Sequence, residues 1–168
     1  MFGELVLLHS AQAASQLKKW PEALAFIDTF LKESSKSSYL PEALYEQGWA
    51  LKNSGKLKEA TAAFEQVVEK SDREVAARAQ FMIGEIQFEQ KEYKEAVSSY
   101  FKAIYGFGDR YPRWQAEALF EAARCFELLS KPDQALKHYE ELVQKHPRSD
   151  KVPQAKERVT ALKKAKSS

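Results

Sequence analysis

The residues best able to do chemistry are few and badly spaced for it. Three histidines, His9, His138 and His146, and a lone cysteine, Cys125, form no metal-ligand spacing, so a zinc site is not expected. The chain has no glycine-rich phosphate loop, no G-x-S-x-G elbow and no H-E-x-x-H pair. Adjacent acids such as Glu140-Glu141 point to different faces of a helix and read as solvated charge. Cys125 stands between apolar neighbours and reads as a small buried residue. No catalytic residue, cofactor site or metal site emerges, and the chain reads as non-enzymatic. The chemistry that remains is recognition. Tyr45, Phe81 and Phe120 recur on successive helices, Trp49 and Phe88 stand nearby, and Arg78, Glu85, Glu89 and Arg124 flank them. Aromatic anchors carry most of the energy of protein interfaces, with charged residues at the rim.

Those residues must be positioned by a repeat. Small residues stand at Ala23, Ala60, Ala96 and Ala135, at intervals of 37, 36 and 39 residues. Four residues after each comes Ile27, Phe64, Tyr100 or Tyr139, and three further on Phe30, Val67, Ala103 or Leu142. Twelve before each is a second small residue: Ala11, Gly48, Gly84 or Ala123. Identical offsets in every series define stacked supersecondary units. Between the two small positions lies a turn, clearest at Asn53-Ser54-Gly55-Lys56, so each unit reads as helix A, tight turn, helix B. The pattern predicts helices near 3–17, 20–33, 40–53, 57–70, 74–90, 93–106, 112–129 and 132–146. Close helix packing gives the small residues their purpose, with Gly48 and Gly84 expected to face Ala60 and Ala96. Phe64, Tyr100 and Tyr139 are expected to fill space against the next unit. A last helix near 150–165 carries a narrow stripe, Val152, Ala155, Val159 and Leu162, and an otherwise basic surface. With Asp150 as its N-cap, it reads as a terminal cap with one greasy and one wet side.

Composition agrees with helix throughout. The 168 residues are 44% hydrophobic and 30% charged, with only 6 Gly and 6 Pro. A formal charge of +2 supplies no strong field for nucleic acid or anionic membrane. No apolar run reaches the ~18–20 residues of a membrane-spanning helix. Residues 1–10 lack the charged stretch and cleavage site of a signal peptide, and the pattern opens inside a helix, as a segment of a longer protein would. Neither the cell envelope nor the cytoplasm is favoured by cysteine usage.

These offsets resemble the tetratricopeptide repeat family. The second unit supplies Leu44, Gly48, Leu51, Ala60 and Phe64. The third supplies Gly84, Ala96 and Tyr100, and the fourth Leu119, Ala123, Phe126, Ala135, Tyr139 and Pro147. The first supplies Leu7, Ala11, Ala23 and Ile27. The family's tryptophan position holds Leu7, Leu44, Gln80 and Leu119, and the closing proline appears once. Repeats longer than 34 residues with a basic last helix are similar to the periplasmic branch, that of the Tol–Pal-associated coordinator and the outer-membrane assembly lipoprotein.

The resemblance implies one all-α domain over 1–168, a right-handed solenoid of helical hairpins. Its repeats would lie near 3–35, 40–72, 74–107 and 112–147, with a capping helix after them. Helix A would line a concave groove. Tyr45, Trp49, Phe81, Phe88 and Phe120 would then project into it, rimmed by Arg78, Glu85, Glu89 and Arg124, with core packing between repeats the alternative for Tyr45, Phe81 and Phe120. The implied function is a scaffold that binds a protein or peptide partner there. Its alternative is a structural subunit of an envelope or secretion assembly that uses its convex face. Leu8 and Gln12, or Tyr45 and Trp49 one repeat later, supply none of the cations that grip chaperone C-terminal tails, so no such clamp is expected. The loop 106–114, with two glycines, three aromatics and two arginines, is a second candidate surface.

Overall fold

In the computed structural model, residues 2–166 are described, and among them the regular structure is helical throughout. The order is α1 (Phe2–Gln16), α2 (Trp20–Glu33), α3 (Leu40–Asn53), α4 (Leu57–Lys70), α5 (Glu74–Glu89), α6 (Tyr93–Tyr105), α7 (Pro112–Leu128), α8 (Pro132–Lys145) and α9 (Val152–Lys166). A 3-10 turn, Gly108–Arg110, lies between α6 and α7. Each helix lies within two residues of its expected span. Contacts gather the chain into two compact units, residues 1–82 and 83–168, with the boundary inside α5.

Burial follows the repeat. All twelve residues of the three helix-B series, from Ala23 to Leu142, are at most 2% exposed. In the first unit Leu8, Ala11, Ile27, Phe30 and Ala43 form one apolar cluster. Ala14, Ala23 and Ala50 form another beneath Trp20 and Leu24. The second unit buries Tyr100, Ile104, Leu119, Tyr139 and Leu142 completely, together with Cys125.

The four A-to-B turns share one backbone solution. Two residues before each B helix the chain enters the left-handed region, at Lys18 (φ 58°), Gly55 (φ 77°), Lys91 (φ 63°) and Ser130 (φ 56°). The next amide reaches back five residues, as in Lys56 N to Leu51 O at 2.9 Å and Lys131 N to Phe126 O at 2.8 Å. The left-handed residue itself bonds three back, as in Lys91 N to Phe88 O at 2.9 Å. This is the Schellman closure of a helix C-terminus. The carbonyl of that next residue then starts helix B, as in Lys56 O with Ala60 N. One residue thus ends one helix and opens the next, which fixes the hairpin.

The nearest neighbours of the two helix-A glycines are aromatic rings. A Cβ built on Gly48 would meet Phe64 Cε1 at 2.7 Å, and one on Gly84 would meet Tyr100 Cε1 at 2.5 Å. Each glycine therefore seats the aromatic ring of its own hairpin. Phe64 and Tyr100 turn back onto their own helix A because a ring needs the whole gap that a missing side chain leaves.

The last helix also differs from expectation. Asp150 is not its N-cap: the Lys151 carbonyl accepts the first helical bond from Ala155, while Ser149 accepts from the amides of Lys151 and Val152. Nor is its basic side left simply to solvent. Lys151 pairs with Glu117 at 3.3 Å, Lys163 with Glu140 at 2.7 Å and Lys166 with Asp133 at 2.7 Å. Arg158 forks onto Glu127.

Candidate functional site

Helices α3, α5 and α7 carry the expected recognition residues, and each compact unit arranges its own. In the first unit, Tyr45 on α3 is 5% exposed and packs its ring 5.3 Å from that of Phe64. The guanidinium of Arg78, on α5, lies 4.3 Å above the Tyr45 ring. Phe81 is 8% exposed, whereas Trp49 is only half-buried. Burial pushes the Glu46 carboxyl above its usual range, against the pull of Arg78. Burial likewise raises Tyr45, again opposed by Arg78.

In the second unit, Phe88 on α5 is half-buried, meets Tyr93 edge-on at 5.4 Å, and has Arg124 of α7 4.8 Å above its ring. Arg124, itself exposed, also binds Glu121 at 2.6 Å. Phe120 is 7% exposed, with Tyr139 at 5.5 Å on one side and the Lys151 ammonium at 5.3 Å on the other. The tyrosines of the B helices reach carboxylates of the A helices. Tyr100 donates to Glu85 at 2.5 Å and Tyr139 to Glu127 at 2.7 Å.

These contacts set the electrostatics. Burial raises Glu121, and nearby Glu85 adds to it while Arg124 opposes. Burial alone would raise Glu127 too, but hydrogen bonds from Arg158 and Tyr139 outweigh it and hold that carboxyl below its usual range. Burial, with Glu121 beside it, pushes the Cys125 thiol up to about 12, which leaves it a protonated, unreactive filler.

For Tyr45, Phe81 and Phe120 the burial fits packing between helices rather than projection into an open groove. Tyr45, Phe81 and Phe120 offer a partner little more than an edge, because they fill the gaps between successive helices. The rings of Tyr45, Phe88 and Phe120 are capped by cations supplied from further along the chain: Arg78, Arg124 and Lys151. Long basic side chains lay their stems and charge over apolar rings while staying wetted, which removes bare apolar surface. Trp49, Phe88, Arg78, Glu85 and Arg124 stay partly or fully exposed. Glu89 is exposed. A groove of about 390 Å³ opens in the second unit beside Phe120, Arg124, Glu127, Leu128, Tyr139 and Arg158. Glu121, Glu127, Lys151 and Arg158 were absent from the expected set. Their signal in the sequence was slight, a charge within one turn of an aromatic on helix A or a cation opening the last helix.

The loop 106–114 folds back on the helix ends. Gln115 donates to Ile104 O and Gly108 O, each at 2.9 Å, and Arg110 Nε to Phe107 O at 3.0 Å. Trp114 and Tyr111 are half-buried, with Arg113 5.2 Å from the Trp114 ring. Among the described residues, no three His, Cys, Asp or Glu side chains gather as metal ligands, and no helix is long and apolar enough to cross a membrane.

Two family models, both described as Tetratricopeptide repeat, match residues 45–113 and 117–149. No curated protein matches the chain. Among solved structures, the chain is similar to MamA, with a TM-score of 0.75 at 16% identity over 98% of this chain and 83% of that one. It is also similar to pilF of Pseudomonas aeruginosa, with a TM-score of 0.75 at 17% identity over 95% and 67%. YrrB, described as a TPR protein with an unusual peptide-binding site, gives a TM-score of 0.68 at 20% identity over 96% and 76%. At these identities the likeness is one of fold.

Proposed function

Because this chain belongs to the tetratricopeptide repeat family, whose members are generally protein-interaction scaffolds, we propose that it is a non-catalytic scaffold that binds a partner's extended segment or amphipathic helix on its A-helix surface. The observation that carries this reading is the pairing of aromatic rings with partly or fully exposed cations there. Phe88 lies under exposed Arg124, and Trp49 stands one turn from Tyr45 and its Arg78. Such a surface stays soluble alone, yet offers ring faces once a partner draws the cations aside. In the first unit affinity comes from Trp49 and register from Arg78; in the second, affinity comes from Phe88 and the edge of Phe120, and register from Glu85, Glu121 and Arg124.

The basic last helix fits this reading better than nucleic-acid binding. Lys151, Arg158, Lys163 and Lys166 are each paired with an acid of α7 or α8.

A second reading is the structural subunit of an envelope or secretion assembly, the setting suggested by the long repeats. It is favoured by exposed apolar residues outside the proposed binding set: Val6 at 63% and Leu17 at 69%, with Phe26 on α2. The two readings separate by mutation. Trp49→Ala with Phe88→Ala removes partner binding under the first reading and spares it under the second, whereas Val6→Lys with Leu17→Lys does the reverse.

A further inference from the structure

The exposed face of α1 carries no Asp, Glu, Lys or Arg. Its exposed residues are Gly3, Val6, His9, Ala13 and Gln16, with Leu17 just past the helix end, in a chain that is 30% charged. Val6 is 63% exposed and Leu17 69%. Together with half-buried Ser10, the residues Gly3, Val6, Ala13 and Leu17 recur at 3, 4, 3 and 4 positions, one stripe down the helix.

The repeat shows what this stripe does elsewhere. Val6 holds the position of Ala43, Ala79, Ala118 and Ala155, at intervals of 37, 36, 39 and 37 residues. Each of those alanines is wholly buried. Ala43 clusters with Ile27 and Phe30 of α2, and α7 and α9 likewise pack on the helix before them, α6 and α8. On α1 the same stripe lies open among the described residues.

What covers it must match it. No helix B of a second copy is free to do so, because the series that begin at Ala23, Ala60, Ala96 and Ala135 are at most 2% exposed. A head-to-tail stack would set the stripe against the far side of α9. There Lys156, Thr160 and Lys163 stand 37 residues after Leu119, Ala123 and Phe126 of α7, and all three are exposed. Polar residues of that kind cap a repeat stack and give an apolar stripe nothing to bury against. The stripe does match itself. Run antiparallel about a twofold axis at Ser10, it sets Leu17 over Gly3 of the second copy, Val6 over Ala13, and Ser10 beside Ser10. Each large side chain meets a small one, twice over, as an isologous contact requires. Small residues also let two helices approach to ~8–10 Å. A charge close to such an axis would face its own like, and this face has none. A partner of other chemistry would find no charged rim here to set its register.

We propose that α1 is a dimer interface, at which two copies of the chain pack α1 against α1 about a twofold axis at Ser10. It uses none of Trp49, Phe88, Phe120 or their charged neighbours. For the assembly reading it names a second copy as what Val6 and Leu17 meet, and a dimer that joins no larger assembly leaves it standing.

The test is the mass of the whole chain by sedimentation over a range of concentrations. The parent is expected to reach twice the monomer mass and to stop there. Val6→Lys/Leu17→Lys replaces two exposed side chains, so the fold is kept, and is expected to raise the dissociation constant by about tenfold or more. Ser10→Cys is expected to form a disulfide-linked dimer under mild oxidation, whereas Ala25→Cys, exposed on α2, is not. The native thiol of Cys125 is buried and does not compete. A parent that stays monomeric, or whose mass keeps climbing as a head-to-tail stack would, overturns the proposal. So does a dimer that survives Val6→Lys/Leu17→Lys, or one that Ser10→Cys fails to link.

Discussion

The ring of Tyr100 lies on Gly84 so closely that a methyl group on the glycine would stand 2.5 Å from Cε1. Gly48 has the same relation to Phe64 at 2.7 Å. Both rings are fully buried and cannot swing aside. Helix propensity alone says that Gly→Ala gains about 1 kcal/mol in a helix interior. Overpacking a core costs about 1–3 kcal/mol. Gly48→Ala and Gly84→Ala are therefore expected to lower the melting temperature. A melt above the parent's would contradict the ring-on-glycine packing.

Three of the four hairpin turns force a non-glycine residue into the left-handed region. L-residues pay roughly 1–2 kcal/mol there. Lys18→Gly, Lys91→Gly and Ser130→Gly are each expected to stabilise by up to about 1 kcal/mol, since glycine also gives back some unfolded-state entropy. Gly55→Ala is expected to destabilise by a similar amount. Urea unfolding midpoints check all four, and a loss in the three glycine variants would show that the turns are built differently.

How much of this was legible in the sequence depends on the period. Ala60, Phe64 and Val67 announce themselves by spacing alone, because a side chain at a repeat position must be buried in every unit. The turns were located by spacing too, but their left-handed residue was visible only at Gly55. Lysine and serine carry no signal for that backbone, and tertiary packing imposes it. The site was half legible. Tyr45 and Phe81 were seen as aromatic positions, but nothing in a linear pattern says that Arg78 will lie over Tyr45. Such contacts join residues some thirty apart, and depend on how one A helix leans on the next.

The hold of α9 on the chain rests on Glu127. Its carboxylate takes hydrogen bonds from both Tyr139 and Arg158, and charge-assisted bonds are worth about 1.5–3 kcal/mol. Glu127→Ala is expected to destabilise by that order and to speed amide exchange in α9. Lys163→Ala and Lys166→Ala remove exposed pairs and are expected to cost under about 1 kcal/mol. Equal losses from all three would contradict a hold centred on Glu127.

His138 makes stability fall with acid. Its ring packs against both Phe101 and Phe126, at 5.1 and 5.4 Å, and is stacked on the latter. Burial lowers its pKa from the ordinary 6.5, although Glu141 pulls the other way and Lys137 adds slightly to the depression. The folded chain therefore binds this proton less tightly than the unfolded one. Its contribution is whole above the unfolded value and is lost as pH falls below about 6.5 towards the folded value. Burial depresses His146 in the same direction, aided by Lys145 and opposed by Asp109 and Glu141. Glu127 and Glu141 add a further loss only at lower pH, through the carboxylate range. His138→Phe is expected to flatten the stability profile between pH 7 and 5. An unchanged slope would mean that His138 binds its proton equally well in the folded and unfolded chain.

The central claim is that the A-helix surface binds a protein partner. The most direct test is capture from the native cell extract with three chains of matched melting temperature: the parent, Trp49→Ala/Phe88→Ala/Arg124→Ala, and Lys58→Ala/Lys94→Ala/Lys137→Ala on the B helices. The account predicts a protein that the parent and the B-helix variant retain and the A-helix variant loses, with the purified pair reproducing that difference. Equal retention by all three, or loss only in the B-helix variant, would contradict it.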